Sequence, residues 1–123
     1  MKLQDYLDKN YTKEKQIALT HLDCSYENIT SLEGIELLIN LNTLFCYENY
    51  LTSLKGIENL TNLTHLNCSY NLLTSLKGVE NLKSLYYIDC ANNPLPYKST
   101  NTTDLLKEVK SEVRKEKISK LLL

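Results

Sequence analysis

Long apolar runs are missing from this 123-residue chain. No stretch approaches the roughly 18 consecutive apolar residues that would suggest a membrane span, and the opening Met1-Lys2-Leu3-Gln4-Asp5-Tyr6 turns polar too early for a secretion signal. An excess of charge is missing too. Lysine and arginine number 14 against 15 acidic residues, and the net charge of -1 gives no pull toward nucleic acid or an anionic membrane. Glycine occurs only three times, at Gly34, Gly56 and Gly78. That spacing excludes a phosphate-cradling loop, whose glycines cluster between a strand and a helix. Proline occurs twice, at Pro94 and Pro96, and phenylalanine once, at Phe45. The expectation is one intracellular, cytoplasmic domain with neither membrane nor nucleic acid as partner. Richness in asparagine, lysine, tyrosine and isoleucine suggests an AT-rich genome, and for a viral source the compartment would be the host cytoplasm.

What is present is a repeat. Shifting the sequence by 22 residues aligns Leu19-Thr20-His21-Leu22-Asp23-Cys24 with the blocks beginning at Leu41, Leu63 and Leu85. A second block, Thr30-Ser31-Leu32-Glu33-Gly34-Ile35-Glu36, recurs at Thr52 and Thr74. Inside the first block apolar residues alternate: Leu22 and Cys24, Leu44 and Cys46, Leu66 and Cys68, Ile88 and Cys90. That alternation predicts a short strand with one buried face. The apolar positions that follow, such as Ile29, Leu32, Ile35 and Leu38, cannot continue the strand, so the chain must turn and come back around the same core.

Stacked coils put equivalent residues above one another, with parallel strands about 4.8 Å apart. Asn49, Asn71 and Asn93 then form a ladder just past the strand, where a buried amide can bond main-chain groups left unpaired by the bend. Gly34, Gly56 and Gly78 fall at the return turn, where positive φ or close backbone approach is needed. Glu36, Glu58 and Glu80 form an acidic column, read as a solvated face.

The segment Leu63-Thr64-His65-Leu66-Asn67-Cys68-Ser69-Tyr70-Asn71-Leu72-Leu73 resembles the core of the leucine-rich repeats. Its 22-residue length is similar to the class found in bacterial internalins and in the leucine-rich regulatory subunit of a nuclear protein phosphatase. The resemblance covers about 19–97. It implies an α/β fold, a right-handed leucine-rich-repeat solenoid with four parallel strands on its concave face and short 3₁₀ or irregular segments on its convex side. It also implies protein binding through the concave face. Glu27 departs from the pattern, standing where the repeat has asparagine, with Asn28 one place later.

A stack of coils exposes an apolar cross-section at each end and needs caps. Within 1–18, Leu3, Tyr6, Leu7 and Tyr11 recur at helical spacing and predict an amphipathic N-terminal cap. The repeats occupy 19–40, 41–62, 63–84 and a partial 85–97. In 98–123 a threonine-capped helix is expected, with Leu105, Leu106, Val109 and Val113 sealing the last coil. Ile118, Leu121 and Leu122 fall on the opposite side of that helical wheel. Either the helix breaks near Glu116 and Lys117, or this patch docks elsewhere, or the tail frays.

Candidate chemistry is thin. The cysteines occupy the inward strand position and read as a column of small buried hydrophobes. Neighbours about 4.8 Å apart with parallel side chains suit no relaxed disulfide, and a straight column cannot converge on a zinc ion. His21 and His65 lie roughly 10 Å apart, too far for a shared metal. No nucleophile or oxyanion donor surrounds His21 with Asp23 or His65 with Asn67. The reading is a non-enzyme without metal or cofactor. The outward strand positions carry the aromatics, and exposed aromatics with polar neighbours are what protein-binding hot spots are made of. The candidate protein-binding residues are His21, Asp23, Phe45, Tyr47, His65, Asn67, Tyr87 and Asp89. Four strands offer a face only about 15 to 20 Å wide, so the contact is modest. The expected state is a monomer bound to a protein partner, with a homo-oligomer through the C-terminal tail as the alternative.

Overall fold

The computed structural model describes residues 1–123. Two helices, α1 (Leu3–Asn10) and α2 (Lys13–Ala18), precede four strands: β1 (His21–Asp23), β2 (Thr43–Phe45), β3 (His65–Asn67) and β4 (Tyr87–Asp89). A last helix, α3 (Thr102–Leu121), follows them. The strands form one parallel sheet in sequence order, with Leu22, Leu44, Leu66 and Ile88 in register. The 22-residue period is therefore the rise of one coil.

Each coil returns through a 3₁₀ turn, at Ile35–Leu37, Ile57–Asn59 and Val79–Asn81. The glycine before each turn has φ of 102° to 107°, a conformation that a β-carbon disfavours. A β-carbon at Gly78 would also come within 2.9 Å of Ile57 Cγ2 in the coil below. The acidic column belongs to these turns rather than forming a merely solvated face. Glu36, Glu58 and Glu80 each fold back to accept the N–H of Gly34, Gly56 and Gly78, at 2.7 to 3.1 Å. A carboxylate there meets the free donors at the start of the turn.

The interior is a single cluster of 26 buried apolar residues. Each of the three full coils contributes from both its strand and its return side, as with Leu44, Cys46, Leu51, Leu54, Ile57 and Leu60. Asn71 shows how the bend is satisfied. Its amide donates to the carbonyls of Cys46, Cys68 and Ser69, and its oxygen accepts Leu51 N–H at 2.9 Å. Each asparagine thus serves the coil before it as well as its own. Asn49 accepts both Glu27 and Ile29 N–H, which explains why Glu27 is tolerated: the first coil has no earlier coil to serve.

The N-terminal cap is two short helices, not one. Thr12 breaks the helix and caps the next by accepting Lys15 N–H. Leu3 and Leu7 are fully buried, while Tyr6 and Tyr11 pack at the margin of the core. The segment before α1 also joins the main-chain ladder. Lys2 bridges Ser31 in parallel, Thr30 N–H donates to Met1 O, and Leu3 N–H donates to Ser31 O.

At the other end the helix cap is Asn101, which accepts Asp104 N–H at 2.9 Å, and not a threonine. An asparagine oxygen reaches the free donors as well as a hydroxyl does. Leu105 and Val109 are buried, with Leu106 and Val113 partly so, as the stripe requires. The helix does not break near Glu116. It runs to Leu121, leaving Ile118, Leu121, Leu122 and Leu123 exposed. Polar contacts hold α3 to the third and last coils: Ser75 and Tyr97 hydroxyls donate to Glu112, and Lys77 pairs with Glu116. No helix is long and apolar enough to cross a membrane.

Candidate functional site

The outward sheet face is a small grid. His21, Thr43, His65 and Tyr87 form one row across the strands, and Asp23, Phe45, Asn67 and Asp89 the next. Each strand carries its outward pair around a buried leucine or isoleucine, so side chains two residues apart stand on one face. All eight candidate residues lie on or just beyond this face. His21, Asp23, Phe45, His65 and Tyr87 are exposed, and Tyr47, Asn67 and Asp89 are half-buried.

The second row separates structural from spare residues. Asp23, Asn67 and Asp89 each accept the N–H two residues later, from Ser25, Ser69 and Ala91, at 3.0 to 3.1 Å. These are Asx turns that end the strand. Asn67 additionally accepts the Ser69 hydroxyl at 2.7 Å, which explains why Ser69 is buried although its parity points outward. Phe45 occupies the same row and can close no such turn. Its ring is nevertheless 38% exposed.

The rings assemble into two groups, not one. Phe45 and Tyr47 have centroids 6.3 Å apart, and Tyr26 meets Tyr47 edge-on at 5.5 Å. His65 lies 6.0 Å from Tyr86 and 6.3 Å from Tyr87. Both spacings fall in the range where aromatic pairs attract. His21 joins neither group. Tyr26 and Tyr86 are thus members of the surface that strand parity alone did not select. Tyr26 lies past the strand in a left-handed turn at φ 59°, which alternation cannot anticipate, whereas the adjacent Tyr86-Tyr87 pair was a usable signal.

Threonines orient the histidines. Thr64 Oγ1 donates to Asn42 O at 3.1 Å and lies 2.9 Å from His65 Nδ1. The contact fixes the ring through Nδ1 and leaves Nε2 outside it. Thr20 Oγ1 stands 3.0 Å from His21 Nδ1, without a carbonyl partner of its own.

The thiols are poor candidates for chemistry. Cys24, Cys46 and Cys68 are buried and Cys90 half-buried, all unpaired. Burial, aided by the nearby Asp23, pushes the Cys24 thiol up to about 12, and burial drives Cys46 and Cys68 well above the usual range. Neutral thiols are weak nucleophiles and weak metal ligands.

The repeats match the family model described as leucine-rich repeats (2 copies) over residues 61–107. Comparison with curated protein sequences gives no match. Among solved structures, internalin C2 of Listeria monocytogenes superposes with a TM-score of 0.62 at 27% identity, over 63% of this chain and 34% of that one. The internalin inlF of the same organism gives 0.67 at 28% identity, over 76% of this chain and 29% of that one. The chain therefore spans about a third of the length of each internalin. By period, fold and the match over 61–107, the chain carries leucine-rich repeats folded as a parallel-strand solenoid and is similar to the internalins.

Proposed function

We propose that the chain binds a partner protein through the concave sheet face, with Phe45, Tyr47, His65 and Tyr87 as the anchoring side chains and His21, Asp23, Asn67 and Asp89 around them. Leucine-rich-repeat solenoids generally serve as protein-interaction modules, which favours binding over catalysis. The observation that carries the reading is Phe45. It stands in a row whose other three members close strand-ending turns, and it leaves an aromatic ring in solvent beside Tyr47. Burying such a ring on association contributes about 1 to 3 kcal/mol.

The test is affinity capture from the source cell with the wild-type chain and a Phe45→Ala, Tyr87→Ala double variant. The captured partner should bind the variant at least about tenfold more weakly, the loss of one well-placed anchor. Unchanged affinity sinks the assignment. A second reading, self-association through the tail, is supported by the exposure of Ile118, Leu121, Leu122 and Leu123 on an unbroken helix. Light scattering of the full chain and a tail-deleted form distinguishes the two, and a monomer in both removes self-association.

A further inference from the structure

Two ladders of main-chain donors run through the coils and end at β4. The N–H groups of Cys24, Cys46 and Cys68 donate to the carbonyls of Phe45, Asn67 and Asp89 at 2.8 to 2.9 Å. Those of Tyr26, Glu48 and Tyr70 donate to Tyr47, Ser69 and Ala91 at 2.9 to 3.3 Å. The next members of these ladders are Cys90 and Asn92, and neither N–H meets an acceptor in the protein. A third donor on this edge, Ile88 N–H, is taken by Thr102 Oγ1 at 3.2 Å. The C-terminal cap thus closes the start of the edge and leaves the rest open.

Beside the free donors lies a cavity of about 390 Å³. Cys90, Ala91 and Asn92 line it from the strand side, and Leu95, Thr100 and Leu105 line it from the connecting segment and the cap. A strand residue fills about 160 Å³, from its rise, the inter-strand spacing and the sheet thickness, so the cavity holds about two to three of them. Unpaired strand edges are templates for another strand.

We propose that the open edge of β4 binds an extended peptide segment of a partner protein, which adds to the sheet as a short fifth parallel strand. Two carbonyls, two residues apart, accept the N–H groups of Cys90 and Asn92, repeating what Asp89 and Ala91 do for Cys68 and Tyr70. In the inner coils the residue between the two accepting carbonyls is the inward one, as Cys90 lies between Asp89 and Ala91. The occupant's middle residue therefore turns into the cavity beside Leu95 and Leu105, and must be small and apolar, while its neighbours face solvent. The footprint is short because the outward donors end at Asn92: at the next ladder position Tyr50 and Leu72 donate back to Ile29 and Leu51 of the coil before them, and Pro94, in their place, has no N–H. A second copy of this chain fits less well: the slot between β4 and the cap admits one strand, not a sheet with its coil. This site lies on the edge of the sheet rather than its concave face, so it stands or falls independently of Phe45.

The test is amide NMR on the full chain, titrated with capped pentathreonine peptides whose central residue is alanine, valine or aspartate. In the free protein the Cys90 and Asn92 amides should exchange quickly while those of Cys46 and Cys68 are protected. Alanine or valine peptides at millimolar concentration should shift the Cys90 and Asn92 resonances and slow their exchange. The aspartate peptide should bind at least about tenfold more weakly, because a carboxylate is costly to bury unpaired. Thr100→Trp, made at an exposed position lining the cavity, should cause a similar loss while leaving the β1 to β3 resonances in place. The proposal is overturned if the two amides are already protected in the free chain, or if no peptide shifts them. It is equally overturned if aspartate binds as well as alanine, or if the shifts gather around Phe45 and Tyr47. Concentration-dependent shifts of the same amides without peptide would assign the edge to a second copy instead, and overturn it too.

Discussion

The two ends of the solenoid solve one problem in different ways. At the N-terminal end the cap pairs through Met1, Lys2 and Leu3 with Thr30 and Ser31 on the return side of the first coil and also buries Leu3 and Leu7. At the C-terminal end α3 buries Leu105 and Val109 but takes a single strand donor, through Thr102, and its last turns leave the body of the protein. One end pairs main chain along the return side of its coil and gives β1 only the Tyr6 hydroxyl at Asp23 O, the other takes one strand donor, and both bury apolar side chains. Closure of apolar surface is thus separable from closure of the hydrogen-bond ladder: both ends bury apolar side chains while strand donors past β4 stay unpaired.

The comparison is tested most strongly by truncating the buried leucine in each cap. Leu7→Ala should cost about 4 kcal/mol and Leu105→Ala about 2 kcal/mol, since loosening the first cap also disturbs paired main chain. Urea denaturation measures both, and equal losses would erase the distinction. A smaller contrast concerns the asparagine ladder. Asn71→Ala strands buried donors and acceptors on two coils and should cost about 3 kcal/mol, whereas Asn93, half-buried at the last coil, should cost about half as much.

Next comes the turn after each strand, where Tyr26, Glu48, Tyr70 and Asn92 all have φ of 53° to 59°. Only asparagine adopts this left-handed region readily. Tyr70→Gly should therefore raise stability by about 1 kcal/mol, read as a higher denaturation midpoint, and a decrease would refute backbone strain as the dominant effect there.

The N-terminal cap is also sensitive to pH. Asp8 accepts hydrogen bonds from Lys13, Gln16 and Gln4, and these hold its carboxyl down at about 2. A folded-state value below the unfolded one means that the contribution is present above about pH 4 and is lost as pH falls toward 2. Amide exchange in α1 and α2 should quicken across that window, and Asp8→Asn should abolish the step. The smallest effect concerns thiol labelling: in the native protein Cys90, half-buried at the open end, should react with a maleimide first, and Cys46 and Cys68 only on unfolding.

Much of the fold was legible because a coil touches only its neighbours. A period of 22 with alternating Leu22 and Cys24 places each residue in the core, the turn or the outer face without knowledge of distant contacts. The outward placement of Phe45 and Tyr87 followed from strand parity alone. What was not legible lies where side chain meets backbone across a turn or between coils. Glu36 reads as a surface charge until Gly34 N–H is seen beside it, and Asp89 reads as a surface acid until it is seen closing a turn. Tyr26 joins the aromatic surface only because its backbone turns left-handed. The course of α3 was open in the sequence because its stripe and tail share no wheel face, and only the packing of its first turns against the last coil fixed it.

By itself, then, the sequence determined the coil: its length, its register, its buried column and the residues it turns outward. Those follow from a local pattern repeated until it must stack. Only the tertiary structure decided which outward residues are already committed to turns, how the rings divide into two groups, and where the main-chain ladder stops. The reason is physical: a hydrogen bond is an accounting between two partners, and at the last strand the partner is set by whatever the rest of the chain brings alongside it.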